Sequence, residues 1–316
     1  MFELLGPAIS VTANVLFIWS GFRAWRIKNA ILKWSGVSLA ALLSTVATAI
    51  SVLLVVGLFK LHARTAPAVA LNISPTPEQI QRGEEISNGF CSSCHSKTGT
   101  LTGGNNIGED LPVPVGAFVS PNLTPAGPLG RWSDGEIFRA IRNGVDRDGR
   151  WLMIMSYTNA GKLSDDDTKA VIAYLRHLPP AGQQTPNPAD RLNPLGVLML
   201  GAGMLPTGKP ITHDTITAPP KAPTAVYGEY ILSYQDCREC HGKDLSGGVP
   251  GQLAPLGPGL RLVKDWKLEE FIATMRNGVD PNGHQIGKQM PWKPIGRMSD
   301  EELGAIYEYL THLPNT

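Results

Sequence analysis

The chain is short of cysteine and short of charge. Four cysteines occur in 316 residues, and all of them lie in two copies of one pentapeptide, Cys91-Ser-Ser-Cys94-His95 and Cys237-Arg-Glu-Cys240-His241. No cysteine remains for a disulfide, which excludes a small secreted fold stapled by disulfides. Charged residues make up 17% of the chain and the net charge is +1, without the basic patch that nucleic-acid binding requires. The length predicts two or three domains.

The repeated pentapeptide, Cys-x-x-Cys-His, is the attachment sequence of c-type haem. Each cysteine can form a thioether with a haem vinyl group, and the adjoining histidine can ligate the iron from the same turn. A single copy could instead mark a zinc or thiol-redox site. Two copies that use every cysteine, each followed by matching sequence, predict two covalently bound c-type haems. Cys91, Cys94, Cys237 and Cys240 are the predicted attachment residues, and His95 and His241 are the predicted proximal iron ligands.

Acidic residues are almost absent from the first 77 residues, which contain six lysines and arginines but only Glu3. Residues 35–59 carry no charge, and at about 1.5 Å per residue their helix is long enough for a hydrocarbon core of about 30 Å.

A second apolar stretch, residues 4–22, is shorter and contains Pro7. It could be a span, an interfacial segment or part of a leader. We predict a span, because Trp19, Trp25 and Trp34 resemble interfacial aromatic residues.

Four basic residues lie between the two apolar stretches: Arg23, Arg26, Lys28 and Lys33. The positive-inside rule places this loop in the cytoplasm. Residues after 60 are then on the periplasmic side of a bacterial cytoplasmic membrane, where c-type haem is attached, whether one or two spans precede them. Ala68-Val-Ala70 has the form of a signal-peptidase site. The apolar run is longer than a typical signal segment, so we expect residues 1–60 to be retained as a membrane anchor, followed by a linker over 61–77.

The rest of the chain repeats itself. RAIRNGVDRDGR (139–150) matches ATMRNGVDPNGH (273–284), and the segment 163–179 matches 298–314. Two long units indicate duplicated domains rather than a solenoid. We predict a first repeat and a second repeat joined by a proline-rich linker. Their predicted bounds are 78–180 for the first repeat, 181–222 for the linker and 223–316 for the second repeat.

Each repeat predicts three helices, from apolar spacing and from start signals. A short helix precedes the haem motif, a second follows loops rich in proline and glycine, and a third closes the repeat. The predicted bounds are 78–88, 134–143 and 165–177 in the first repeat, and 224–235, 267–277 and 300–312 in the second. Ser133, Ser164 and Ser299 begin capping boxes, strictest where the acid three residues later is glutamate. The apolar centre of the linker, Leu195 to Leu205, predicts an ordered segment packed against a domain or partner.

A Cys-x-x-Cys-His motif after a short helix, a downstream methionine and a closing helix with a tyrosine-leucine pair resemble class I c-type cytochromes. The first repeat, with Pro121-Asn-Leu-Thr124, Trp132-Ser-Asp and Leu163-Ser-Asp-Asp, is similar to cytochrome subunits that accompany membrane-bound bacterial dehydrogenases. The resemblance covers 78–180 and 223–316. It implies a mainly α fold with two tandem class I cytochrome c domains, preceded by an N-terminal transmembrane helix or helical hairpin.

The distal iron ligands are predicted to be methionines. Met290 and Met155 stand at equivalent positions, each eight residues before the repeated closing segment. Met153 is interpreted as core packing. His284, six residues before Met290, is the competing ligand in the second repeat. Two residues that recur in both repeats each allow two interpretations. The tryptophans Trp132 and Trp266 either close a haem crevice or are simply buried. The arginines Arg142 and Arg276 either offset the charge of the haem propionates or are solvated helix residues.

Iron held by histidine and methionine has no open position for a substrate, and the neutral thioether favours Fe(II). We therefore predict a non-catalytic, membrane-anchored dihaem cytochrome that relays single electrons between a redox-protein donor and an acceptor. It would belong to a respiratory, dehydrogenase or photosynthetic complex. The alternative is a dihaem redox enzyme, such as a peroxidase or a thiosulfate-oxidising cytochrome, which requires a catalytic haem with a vacant position.

Overall fold

A computed structural model of the chain describes residues 5–252 and 254–314. Some residues named in the sequence analysis lie outside the described residues. They are Glu3, Leu4 at the predicted start of the first apolar stretch, and Asn315 and Thr316 at the predicted end of the second repeat. In chain order the helices are α1 Leu5–Trp25, α2 Ala30–Ala63, α3 Pro77–Ile86, α4 Ser92–His95, α5 Asp134–Asn143, α6 Met153–Tyr157, α7 Asp165–His177, α8 Pro194–Gly201, α9 Ala225–Tyr234, α10 Cys237–His241, α11 Leu268–Asn277, α12 Trp292–Ile295 and α13 Asp300–Thr311. A π-helical turn, Ser87–Cys91, links α3 to α4. Within the described ranges, 3-10 turns cover Ile107–Asp110, Pro128–Arg131, Ala160–Lys162 and Leu260–Asp265.

The chain divides into two compact units. The hairpin unit contains α1, α2 and two later segments, 106–118 and 190–208. The motif unit contains 66–105, 119–189 and the rest of the chain from 209. Both haem motifs therefore lie in the motif unit.

In the hairpin unit, α1 and α2 form an antiparallel helical pair that polar side chains connect. Asn14 Nδ2 donates to Thr48 Oγ1 at 2.8 Å, and Ser51 Oγ donates to Ser10 Oγ at 2.9 Å. Among the described residues, α2 is the one helix long and apolar enough, by length and composition, to cross a membrane. It contains the predicted span 35–59. That α1 also spans stays a prediction.

The apolar centre of the linker packs within the hairpin unit, as α8 against α2. The approach is close: a side chain on Gly57 would overlap the carbonyl oxygen of Val197. Lys60 Nζ donates to the carbonyl oxygen of Leu200 at 3.0 Å, near the end of α8, where a cation suits the helix dipole. Beside α8 the strands β1, Gly116–Phe118, and β2, Asp190–Leu192, pair antiparallel, with Gly116 opposite Leu192.

The motif unit repeats one helix-crossing geometry. In each repeat the helix before the haem motif crosses the closing helix, α3 against α7 and α9 against α13. A side chain on Gly83 would overlap the carbonyl oxygen of Ala170, and one on Gly228 would overlap that of Ala305. Glycine at each crossing lets the two backbones approach closely. The predicted helices of both repeats are present, and their bounds shift by two residues or fewer.

The repeated Arg-Asn-Gly-Val segment ends its helix in the same way twice. Gly144 and Gly278 take left-handed φ angles of 61° and 71°, as helix ends often do. The chain then turns back, and the amide of Leu152 donates to the carbonyl of Gly144 at 2.8 Å. Ile286 donates to Gly278 at the same distance. The internal repeat seen in the sequence is thus a repeat of backbone geometry.

The repeated arginines connect helices. Arg142 Nη1 donates to the carbonyl of Gly161 at 2.8 Å, and its Nη2 contacts Asp165 Oδ1 at 2.8 Å. Arg276 makes the equivalent contacts, to the carbonyl of Gly296 and to Asp300 Oδ1. Both guanidinium groups therefore hold the start of a closing helix against the preceding helix. The capping boxes at Ser133 and Ser299 are complete, whereas at Ser164 the serine accepts from the Asp167 amide.

Candidate haem sites

In the second repeat the whole Cys-x-x-Cys-His motif forms one short helix, α10. His241 is buried, and its Nδ1 donates to the carbonyl oxygen of Pro258 at 2.7 Å. That hydrogen bond fixes the neutral tautomer with the lone pair on Nε2, as second-shell partners do for ligating histidines. His241 Nε2 is buried and has no hydrogen-bond partner among the residues that the structure describes. The imidazole is therefore oriented to ligate a metal.

The first repeat builds the same arrangement from different backbone. Cys91 ends the π-helical turn, and His95 ends α4. His95 Nδ1 donates to the carbonyl oxygen of Pro121 at 2.9 Å. Burial lowers the pKa of His95, which keeps the imidazole neutral and available as a ligand. The carbonyls of His95 and His241 also accept equivalent hydrogen bonds, from the amides of Gly103 and Gly247 at 2.8 Å.

The thiols lie in apolar surroundings. Burial raises the pKa of Cys91 and Cys94 to about 11 and that of Cys237 to about 12. A protonated thiol is a poor redox nucleophile, because that role requires the thiolate. This environment disfavours the thiol-redox interpretation of the motifs.

A cavity of about 370 Å³ lies beside α10. It is lined by the predicted haem-binding residues of the second repeat, Cys237, Cys240, His241 and Met290. Most of the remaining wall is apolar and includes Trp266, Phe271, Ile306 and Leu310. The structure thus brings together residues that are up to 53 positions apart, from Cys237 to Met290. Of the two interpretations of Trp266, its place in the cavity wall favours closure of the crevice.

His284 also lines this cavity, but its geometry weakens it as a rival ligand. Its side chain is 78% exposed, and its Nδ1 lies 3.2 Å from Asp280 Oδ2. Met290 is partly buried and packs against the apolar core. The geometry therefore favours Met290 over His284 as the distal ligand, and the assignment stays a prediction.

The residues of this site fit a covalently attached haem. The cavity is apolar, two thiols and an imidazole share one helical turn at its edge, and the unpartnered nitrogen of that imidazole is buried. A bound haem would supply a one-electron iron couple whose potential depends on the axial ligands. The chain itself supplies attachment, ligand orientation and exclusion of water.

In the first repeat the two candidate methionines lie on α6. Met153 is 2% exposed and belongs to the core, whereas Met155 is partly exposed. The turn is fixed by Ser156, whose Oγ accepts from Trp151 Nε1 and donates to the carbonyl of Met153, both at 2.7 Å. These positions agree with Met153 as packing. Met155 as the distal ligand stays a prediction.

The prolines that orient the proximal histidines were not predicted to have this role. Pro121 lies in the Pro-Asn-Leu-Thr segment that the sequence singles out, but no role was assigned to it. Pro258 lies between two glycines, and a side chain on Gly257 would come within 2.7 Å of His241 Nδ1. A Gly-Pro-Gly run downstream of a haem motif is therefore the signal that could have revealed the second proline.

Two family models match the two repeats of the chain. Residues 80–179 match Cytochrome c, and residues 220–310 match Cytochrome C oxidase, cbb3-type, subunit III. The chain carries two cytochrome c domains and is a dihaem c-type cytochrome, with two covalently bound haems. The predicted fold class and cofactors are confirmed.

Three curated relatives are cytochrome subunits of dehydrogenases. The chain is 27% identical over 293 residues to the cytochrome c subunit of alcohol dehydrogenase (quinone) from Gluconacetobacter polyoxogenes, covering 81% of this chain and 60% of that one. It is 35% identical over 104 residues to the gluconate 2-dehydrogenase cytochrome c subunit of Pantoea cypripedii, covering 31% and 23%. The fructose dehydrogenase cytochrome subunit of Gluconobacter japonicus is 25% identical over 238 residues, covering 71% and 46%. The matches thus span 60% or less of these relatives' own lengths.

Proposed function

We propose that this chain is the electron-transfer subunit of a membrane-bound dehydrogenase complex, relaying single electrons between a redox-protein donor and an acceptor. One observation carries the proposal: a buried imidazole with an unpartnered nitrogen and a methionine line the same apolar cavity as two attachment cysteines. A haem with both axial positions taken by the protein transfers electrons without binding a substrate.

The proposed ligand sets are His95 with Met155 and His241 with Met290. The attachment pairs are Cys91 with Cys94 and Cys237 with Cys240. The domain limits remain those predicted, 78–180 and 223–316. The equivalent orientation of both histidines by a prolyl carbonyl supports the same ligation scheme in both domains.

The proposed location is the periplasmic face of a bacterial cytoplasmic membrane. The apolar length of α2 supports anchoring. The basic residues at and beside the turn between α1 and α2, Arg23, Arg26, Lys28 and Lys33, support a cytoplasmic loop. A dehydrogenase partner is inferred from the relatives, whose names describe cytochrome subunits of dehydrogenases. A dihaem peroxidase or thiosulfate-oxidising enzyme is not favoured, because no relative among these carries such a name.

Redox titration of the purified holoprotein, combined with purification of native complexes in mild detergent, tests the proposal. We expect two reversible one-electron centres and a stoichiometric dehydrogenase partner. A haem that binds peroxide or carbon monoxide readily would contradict full axial ligation, and purification of the chain without any redox partner would contradict the subunit role.

A further inference from the structure

The two haem motifs approach each other across a contact between the repeats. Phe90 directly precedes Cys91, and Tyr234 lies three residues before Cys237. Their rings meet edge to face, with centroids 5.9 Å apart and planes at 77°. Tyr234 is 1% exposed, so this contact is buried. The chain segments that carry the first attachment cysteine of each motif therefore touch.

A second contact lies beside this aromatic pair. A side chain on Gly89 would come within 3.0 Å of Met298 Cγ, so Met298 packs directly on this glycine. Met298 is also part of the wall of the cavity in the second repeat. The backbone two residues before Cys91 thus contacts a residue that lines the other haem site.

A third contact holds the backbone directly before the second haem motif. Asp236, directly before Cys237, has a left-handed φ of 57°, which is unusual for a residue other than glycine. Its Oδ1 accepts from the backbone amide and the side-chain Nδ2 of Asn159 in the first repeat, at 2.7 and 2.6 Å. Hydrogen bonds from the first repeat therefore hold the entry to the second motif.

An ion-pair network holds the repeats in this orientation. Arg82 of the first repeat contacts Asp167 at 2.8 Å and Glu302 of the second repeat at 2.6 Å. Tyr230 of the second repeat donates to Asp167 Oδ2 at 2.6 Å. Buried networks of this kind require one geometry to satisfy all their groups. The junction is therefore specified by directional contacts as well as by apolar packing.

We propose that Phe90, Tyr234 and Met298 form the bridge by which an electron passes directly between the two haem sites within one chain. This inference rests on the proposed electron-transfer function. One electron moves: the ferrous iron that loses it becomes ferric, and the ferric iron that gains it becomes ferrous. No bond is made or broken, and no proton is transferred. Burial raises the pKa of Tyr234 well above its usual range, which keeps the ring neutral.

The bridge acts by keeping the tunnelling path short and filled with atoms. Electron tunnelling weakens steeply with distance and weakens further across gaps, so a packed contact between the attachment segments favours a fast internal step. An alternative arrangement, in which each haem serves a separate external partner, would need no buried contact between the motifs. In this scheme Phe90, Tyr234 and Met298 fill the tunnelling path and do not ligate iron.

The test is flash photoreduction of the full-length holoprotein at several protein concentrations. We expect a concentration-independent phase of electron redistribution between the haems, lost or slowed in Tyr234→Leu and in Phe90→Leu. Tyr307→Leu is the matched control. The ring centroids of Tyr307 and Phe271 lie 5.9 Å apart, and both residues belong to the second repeat. The same substitution at Tyr307 therefore removes an aromatic pair that does not join the two repeats.

Magnetic coupling between the two ferric haems, read by electron paramagnetic resonance, shows whether the variants keep the same haem separation. Unchanged coupling with a slower phase supports the bridge. An unchanged rate in both Tyr234→Leu and Phe90→Leu, or no concentration-independent phase in the wild type, overturns it. If Tyr234→Leu does not fold, Phe90→Leu decides. The proposed function fails separately, if the wild type lacks two reversibly reducible haems.

Discussion

The two haem domains share a scaffold but reach their motifs by different backbone routes. In the first, α3 passes into a π-helical turn that ends at Cys91. In the second, α9 ends and Asp236 takes a left-handed conformation directly before Cys237. Both irregularities lie at the junction between the domains. Departures from regular helix of this kind are often found at functional sites. The duplicated domains have therefore diverged where they meet.

The segments that carry the two predicted distal methionines, Met155 and Met290, differ as well. Met155 lies within a helix, α6, whereas Met290 lies in a turn where its amide donates to the carbonyl of Gly287 at 3.0 Å. Pro291 follows Met290, whereas Ser156 follows Met155 and is hydrogen-bonded to Trp151. The two candidate ligands are therefore held by different means, so we expect the two haems to differ in potential.

The largest expected effect comes from removing one attachment site. Cys237→Ser combined with Cys240→Ser should abolish covalent haem in the second domain and leave the first domain loaded. Haem staining of the denatured protein and a pyridine haemochrome assay measure the loss. Cys91→Ser with Cys94→Ser is the reciprocal control. Complete loss of haem from either double variant would show that the domains do not mature independently.

Exchange of a distal methionine should alter one haem at a time. Met290→His should lower the potential of the second haem by on the order of 0.1 V, within the ~0.8 V range that axial ligands span. Met155→His should do the same for the first haem. Redox titration of each variant checks this, with Met153→Leu as the control that leaves both potentials in place. A shift caused by Met153→Leu, with none from Met155→His, would reverse the assignment in the first domain.

The next prediction concerns the ion-pair network at the contact between the two haem domains. Arg82→Met removes the cation shared by Asp167 and Glu302, leaving two carboxylates in a largely buried site. Losing one partner of a buried ion pair typically costs about 3–5 kcal/mol, so thermal unfolding should begin at a lower temperature. Arg276→Met, at a more exposed ion pair of the second domain, should cost less. Equal destabilisation by the two changes would mean that the junction network does not set the stability of the unit.

The smallest effect concerns pH. Burial raises the pKa of Asp236 from 3.8 to about 6. The folded chain therefore binds this proton up to a higher pH than the unfolded chain does, and folding stability falls as pH rises from about 4 to about 6. The loss is at most about 3 kcal/mol, since one pKa unit corresponds to about 1.4 kcal/mol. Denaturant unfolding across this range should show a flatter profile for Asp236→Asn, and an identical profile would contradict the prediction.

The helices were predictable because their signals are local. Ser133 and Ser299 with glutamate three residues later, and glycine after Arg142-Asn143 and Arg276-Asn277, mark helix ends without reference to distant residues. The haem motifs are also local, so attachment residues and proximal histidines could be named from the sequence. Met290 could be named because the repeat supplied a register for comparison.

The contacts between elements could not be predicted in the same way. Nothing near Arg82 in the sequence indicates Glu302 as a partner, and nothing near Asp236 indicates Asn159. The packing of α8 on α2 depends on Gly57, whose close approach to Val197 leaves no periodic pattern. Such contacts depend on tertiary geometry, which a pattern within one segment does not encode.

Near-infrared magnetic circular dichroism of the fully oxidised holoprotein tests the central claim most directly, because ferric haem ligated by histidine and methionine has a characteristic charge-transfer band. With two haems per chain, we predict that this band has the intensity of two such centres. A band with the intensity of one centre, or no band, would contradict methionine ligation in at least one domain.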